Sequence, residues 1–222
     1  GSFNIRDAQG IALNSGFSQI NGRFNLTQKA LNDRATFTVN LSTTRKEAEY
    51  GFLESLRYAI ISNPTMPVYS DESSTSSPIG GKEFGGYAER GIFDYYNPVS
   101  IAQQNKSDGT DSRLLYSLRA EYDFSDVVPG LSAAAFYSQQ NESEVRGQYF
   151  AKTSKWTGFN RNGLANRLTR QANNELFEVT VDYDKDLGGT NLHILGGYSY
   201  QYFYNEGFGM QGGNFLTDAF TN

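Results

Sequence analysis

Apolar and polar residues alternate along six stretches of this chain, and the stretches come in pairs joined by tight turns. In Phe17–Ala30, Ile20, Gly22, Phe24 and Leu26 fall on one face, and Asn21, Arg23, Asn25 and Thr27 on the other. Beyond the turn Leu31–Arg34, Ala35, Phe37, Val39 and Leu41 point one way and Thr36, Thr38, Asn40 and Ser42 the other. A second pair, Arg113–Phe124 and Leu131–Ser138, is joined by Ser125–Gly130. A third, Glu175–Asp184 and Asn191–Tyr204, is joined by Lys185–Thr190. A period of two is the mark of a strand with one face in an apolar medium. Ser2–Arg6, with Phe3 and Ile5 on one side, adds a seventh strand ahead of these pairs.

The connections between hairpins are of a different kind. Asp7–Gly16 reads as a loop. Glu47–Ser112 and Asn141–Ala172 read as long loops rich in polar residues, glycine and tyrosine. Within the first, Phe52–Ile61 is a helical candidate stopped by Asn63-Pro64. A serine-rich tract, Asp71–Pro78, and a glycine-rich one, Gly80–Gly86, follow, and Asp94–Gln104 is expected to form a second short helix or turn. Counted from Ser2–Arg6, every tight turn falls at one end of the strands and every long loop at the other. Short turns on one side and long loops on the other form the pattern of an outer-membrane β-barrel, with the short side periplasmic and the long side extracellular.

Composition agrees. Hydrophobic residues make up 38% of the 222 residues and aromatics 14%, with a mean hydropathy of −0.55. A barrel wall needs apolar residues only at alternate positions and concentrates Tyr and Phe at the membrane interfaces. No apolar run is long enough for a transmembrane helix, which leaves strand spans open. The net charge of −5 argues against a nucleic-acid footprint. The absence of cysteine excludes disulfides and thiolate metal sites. Seven strands do not close a wide barrel, and an open edge in lipid would strand backbone groups at several kcal/mol apiece. The expectation is therefore an all-β chain: an antiparallel transmembrane β-barrel segment, about seven strands of a larger barrel, carrying long extracellular loops over residues 47–112 and 141–172.

Three stretches carry a family resemblance: Arg23–Ser42 ("RFNLTQKALNDRATFTVNLS"), Leu56–Tyr69 ("LRYAIISNPTMPVY") and Phe93–Ile101 ("FDYYNPVSI"). Together with the opening "RDAQGIALNSGF", they resemble the SusC-like (RagA-like) branch of TonB-dependent outer-membrane transporters from Bacteroidota. The likeness is good over residues 1–125 and continues as a compatible pattern beyond. It implies a plugged barrel of about 22 strands in the outer membrane. Such a barrel takes up glycan fragments or peptides with energy delivered by TonB, under a SusD-like surface lipoprotein. No plug domain or TonB box is recognisable here, so a fragment of the barrel is expected. The alternatives are a siderophore or cobalamin transporter of the same architecture, and a non-transporting adhesin or structural barrel.

On this reading the chemistry is binding and translocation, with no catalytic residue, cofactor or metal. The aromatics of the long loops, Tyr50, Tyr58, Tyr69, Tyr95, Tyr96 and Trp156, are the candidate substrate contacts; packing of the loops on themselves is the competing role. Arg23, Asn25, Asn40, Arg119 and Glu121 are expected to face the lumen or plug. The expected partners are the SusD-like lipoprotein, TonB through a part of the protein not included here, lipid and lipopolysaccharide, and a glycan or peptide. The stripe Tyr198, Tyr200, Tyr202 and Tyr204 fits an interfacial girdle. Gly207–Gly212 matches G-x-G-x-x-G but lacks the helix that a phosphate would need, so a loop is expected there. Asp182, Asp184 and Asp186 precede Gly188-Gly189 without the spacing of a calcium loop. His193, the one histidine, has too few companions for a structural zinc site or a hydrolase triad.

Overall fold

The computed structural model describes residues 1–70, 81–91 and 94–218. The serine-rich tract Asp71–Pro78, the start of the glycine-rich tract at Gly80, and Phe93 of the third resembling stretch lie outside them. Among the described residues, seven antiparallel strands form one sheet in chain order. They are β1 (Ser2–Gln9), β2 (Gly16–Ala30), β3 (Ala35–Glu49), β4 (Lys106–Asp123), β5 (Leu131–Phe150), β6 (Leu164–Asp186) and β7 (Asn191–Gly213). Each strand pairs with its sequence neighbour, so the whole sheet is an up-and-down meander. Two short helices, α1 (Leu53–Ile61) and α2 (Pro98–Gln104), lie between β3 and β4.

Directly paired residues in an antiparallel ladder project from the same face, so the register extends the alternation of each strand across the sheet. One row runs Leu26, Val39, Leu118, Tyr137, Phe177, Tyr200. One residue along, on the opposite face, runs Asn25, Asn40, Ser117, Ser138, Leu176, Gln201. Along the alternating stretches the apolar face is open: Phe37 is 48% exposed, Leu118 49% and Tyr198 63%. A sheet in water would bury such a face; here it is the surface offered to lipid. On β5 and β6 the apolar band ends at a hydrogen-bonded polar group. Tyr116 donates to Gln139, Gln139 to Asn173 at 3.1 Å, and Asn173 to Glu175 at 3.4 Å.

The strands outrun the alternation that marks them, which corrects both loop boundaries. Residues 47–49 and 106–112, expected in the first loop, belong to β3 and β4, and the connection is 50–105. Most of Asn141–Ala172 is strand: β5 continues to Phe150 and β6 starts at Leu164, leaving 151–163 as the connection. Gly207–Gly212, expected as a loop, lies within β7, with Gly207 and Gly209 opposite Arg170 and Leu168. The physical reason is common to all three. Alternation records contact with lipid on one side only. Where both faces are wet, the backbone ladder persists while the apolar period disappears.

The tight turns are where the sequence predicts them. Leu31, Asn32 and Asp33 all take positive φ, near 55°, 57° and 66°, a conformation Asn and Asp tolerate better than most residues. Gly130 has φ +86° and its carbonyl accepts the Asp184 amide at 2.9 Å. A Cβ there would lie 1.9 Å from the Asp184 carbonyl oxygen, whereas one at Gly188 (φ +78°) would meet nothing. Gly130→Ala should therefore destabilise the folded protein by more than the roughly 1 kcal/mol of an unfavourable φ alone, and by more than Gly188→Ala. Urea midpoints of the two variants in detergent test this. Equal shifts would show that the contact with Asp184 relaxes freely.

Candidate functional site

The loops at the long end of the strands have a core of their own. Phe52, just ahead of α1, Tyr58 within it, Ile101 of α2, and Phe150 and Leu164 at the paired ends of β5 and β6 are buried together, with Tyr96 and Trp156 against them. Trp156 meets Phe52 and Phe150 edge-on at 5.2 and 5.4 Å, and Tyr58 meets Tyr96 at 5.2 Å. Phe150 and Leu164 continue the row parity of Ser138 and Leu176. The cluster therefore rises from the polar face of the sheet and leans over it.

This corrects part of the predicted binding set. Tyr58 is 3% exposed, so it presents no ring face to a ligand. Its hydroxyl donates to Asp94 at 2.6 Å, and burial, followed by that hydrogen bond, pushes its phenol up to about 12. Tyr96 and Trp156 are half-buried and pack on the same core. Their burial follows from the length of the connections, which need apolar contacts to hold one shape. Tyr50, Tyr69 and Tyr95 remain at the surface or partly so. Tyr69 is 58% exposed and pairs with Tyr87 at 5.3 Å between centroids. Tyr95 accepts from the Asn63 amide and donates to the Ile61 carbonyl, tying the end of α1 to the segment before α2. Tyr50 lies under the Arg146 guanidinium, 4.8 Å from the ring centre.

Asn97 joins these pieces. Its side-chain oxygen accepts from Val99 and Ser100, capping α2, while its amide donates to the carbonyls of Val68 at 2.7 Å and Ala88 at 3.0 Å. The α2 start signal, Asn before Pro98, is legible in sequence; the two carbonyls it also satisfies are not. Asn97→Ala removes a cap worth about 0.5–2 kcal/mol and leaves the Ala88 carbonyl short, at about 1–3 kcal/mol if it stays dry, while the Val68 carbonyl keeps the Ala88 amide at 3.0 Å. The expected result is faster amide exchange throughout α2 and around Val68 and Ala88, with the strands unchanged.

Beside Asn97, Glu89 is almost fully buried and accepts from the Asn97 backbone N–H at 3.1 Å through Oε2; Oε1 has no hydrogen-bond partner among the described residues. Burial raises its carboxyl above the ordinary value, against the Asn97 hydrogen bond and the nearby Lys155 charge. Lys155, from the second connection, donates to the carbonyls of Arg90 and Tyr95 and sits over the Tyr96 ring at 5.3 Å. It pins 151–163 to 50–105. The linkage sign follows from Glu89: the folded state holds its proton more tightly, so its contribution is fully present below the free value of 4.5 and fades as pH rises through the raised folded value. Protection factors of residues 84–91 and 94–101, taken relative to the intrinsic exchange rate at each pH, should rise on going from pH 7.5 toward 5, and Glu89→Gln should flatten that dependence.

The predicted polar-face residues are together on one face. Arg23 pairs with Ser42 and Asn25 with Asn40, Asn40 donates to Ser117 at 3.1 Å, and Arg119 donates to Glu121 at 2.6 Å. Above them lies a charged region absent from the sequence-based candidates, because four of its six members, Asp111, Glu142, Glu144 and Arg146, fall where loops were expected. Arg113 pairs with Glu142 at 2.8 Å, Arg146 with Glu144, and Lys46 is the cross-strand neighbour of Asp111. At the short-turn end, Asp182, Asp184 and His193 are brought together on the same polar face.

None of the described helices is long and apolar enough to cross a membrane. No family model matches the chain. It is 32% identical over 114 residues to TonB-dependent receptor P3 of Formosa agariphila, an alignment covering 51% of this chain and 11% of that protein. Its fold matches a chain in the structure of the RagAB peptide importer in the open-open state with a TM-score of 0.66 and 15% identity, over 97% of this chain and 23% of that one. The chain thus spans a small part of the length of both relatives. One is a receptor and the other an importer; neither is an enzyme. Alternation, register, exposed apolar face and both similarities converge: the chain has the fold of a stretch of antiparallel β-barrel wall, like that in the RagAB importer structure, and over half its length it is similar in sequence to a TonB-dependent receptor.

Proposed function

We propose that this segment forms part of the wall and extracellular roof of a SusC-type importer in the outer membrane of a Bacteroidota bacterium, taking up glycan fragments or peptides. The observation that supports this best is the side on which the roof is built. Phe150 and Leu164, the floor of the loop core, share a face with Asn40, Ser117 and Arg119 rather than with Val39 and Leu118. Loops that gather over the polar face cover the inside of a barrel, where a solute passes. Connections 50–105 and 151–163 are then extracellular, and the exposed ring of Tyr69 and the half-buried rings of Tyr50 and Tyr95 are the substrate-side aromatics. Arg23, Asn25, Asn40, Arg119 and Glu121 face the plug or the path. The SusD-like lipoprotein meets the roof from outside, TonB acts through the plug, and the apolar face meets lipid and lipopolysaccharide.

Deletion of the complete gene should impair growth on an oligosaccharide or oligopeptide as sole source while leaving growth under iron or cobalamin limitation unchanged. A defect confined to iron or cobalamin would replace this reading with that of a siderophore or cobalamin transporter. Normal growth on all four would favour a wall without transport.

A further inference from the structure

The polar face carries, at its short-turn end, a group of side chains that the importer reading does not use. Asp182 and Asp184 are two residues apart on β6 and so project from one face, and His193 of β7 is the direct cross-strand partner of Asp184. His193 Nδ1 lies 2.8 Å from Asp184 Oδ1, and Nε2 lies 3.5 Å from Asp182 Oδ2. One oxygen of each carboxylate and a ring nitrogen fall within 4.8 Å of one another, the single group of this kind among the described residues.

The two ring nitrogens stand in different relations to their carboxylates. The Nδ1 separation is that of a hydrogen bond, and a proton held there toward Asp184 leaves the ring's lone pair on Nε2. The 3.5 Å between Nε2 and Oδ2 is long for a hydrogen bond. It is close to the roughly 3.3 Å between two ligands on one tetrahedral ion with bonds of about 2.0–2.2 Å. A carboxylate bonded to the far nitrogen of a ligating imidazole is the usual way a protein fixes the ring and its tautomer. Imidazole nitrogen with one carboxylate suits a zinc-like ion better than calcium or magnesium, which take oxygen. The side chains of Asp182, Asp184 and His193 are 32%, 67% and 57% exposed, so an ion can reach them.

We propose that Asp182 and His193 chelate a zinc-class divalent ion at the short-turn end of the β6–β7 hairpin, with Asp184 as the positioning residue that orients the imidazole. Water, or a group of whatever packs against this part of the polar face, fills the remaining positions. The site cross-links β6 to β7 beside their turn and offers an exchangeable ligand position on that face.

The test uses the full-length protein in detergent, with ZnCl2 and CaCl2 as probes and a chromophoric chelator as competitor. Wild type should bind one more zinc equivalent than His193→Ala or Asp182→Asn, and calcium should not displace it. Asp184→Asn should retain the site with an affinity lower by about 10–100-fold, the usual cost of losing an orienting carboxylate. Cu2+ bound in place of zinc should show hyperfine coupling from a single imidazole nitrogen, lost in His193→Ala. Equal zinc stoichiometry in wild type and His193→Ala would overturn the proposal and leave the cluster as an ion pair across the hairpin. So would full displacement by calcium. Should His193→Ala not assemble, Asp182→Asn and His193→Gln decide the same comparison, since neither alters the backbone ladder.

Discussion

Val39→Arg is expected to destabilise the assembled barrel by about 2–4 kcal/mol, the cost of a cation on the lipid face near the bilayer midplane. Asn40→Arg, one residue away, should cost well under about 1 kcal/mol, as a surface substitution does. The contrast rests on register. Val39 pairs with Leu26 on one side and Leu118 on the other. The rows above and below it on that face hold Phe24, Leu41 and Tyr116, and Gln28, Phe37 and Ala120. An arginine placed there finds no charged partner in these rows, only Gln28 on the diagonal, and must reach for the interface. Asn40 pairs with Asn25 and Ser117, on a face already wet. Urea unfolding of the full-length protein in lipid vesicles measures both. Similar losses for the two variants would mean that the facing assigned to every strand is wrong, because the register ties all seven together.

Phe150→Ala is expected to loosen the roof by about 3–5 kcal/mol, the usual cost of emptying an aromatic site in a core. The strands below should lose little. Phe150 is 6% exposed, touches Phe52 at 5.5 Å and Trp156 at 5.4 Å, and is the last residue of β5. Its removal takes away the point at which the loop core is anchored to the sheet. Amide exchange should rise across α1, α2 and 151–163 while β2 and β3 stay protected. Tyr69→Ala, at an exposed ring, should leave exchange in the roof nearly unchanged. If protection of α1 survives in Phe150→Ala, the roof is held by its hydrogen bonds at Asn97 and Lys155 rather than by this core.

The same two residues show why some of the molecule is legible in sequence and some is not. Val39 sits in a run where a lipid-contacting face imposes strict alternation, so its facing follows from its neighbours along the chain. Phe150 ends a stretch, Gln139–Phe150, in which both faces are polar or mixed. Nothing periodic distinguishes that stretch from a loop, although its backbone is paired residue by residue with β6. Glu142, Glu144 and Arg146, which form charged pairs with Arg113 and with one another, were hidden for the same reason. The loop aromatics divide on a different ground. Tyr58 and Tyr69 have the same side chain and lie in the same long connection. Only the folding of α1 against Ile101, Phe150 and Leu164 sends one inward. Asp182, Asp184 and His193 are separated by a turn, and it is the cross-strand register that brings the imidazole to the carboxylates.

The sequence by itself determined the strand faces within the apolar band, the three tight turns, the two short helices and the asymmetry between the ends of the strands. Each of these is a local response to backbone geometry or to lipid on one side, written in consecutive residues. Tertiary structure alone decided how far the strands run beyond the membrane, which aromatics are buried in the roof, and over which face the roof closes. These depend on pairings and contacts between residues distant in the chain, for which neither period nor propensity leaves a record.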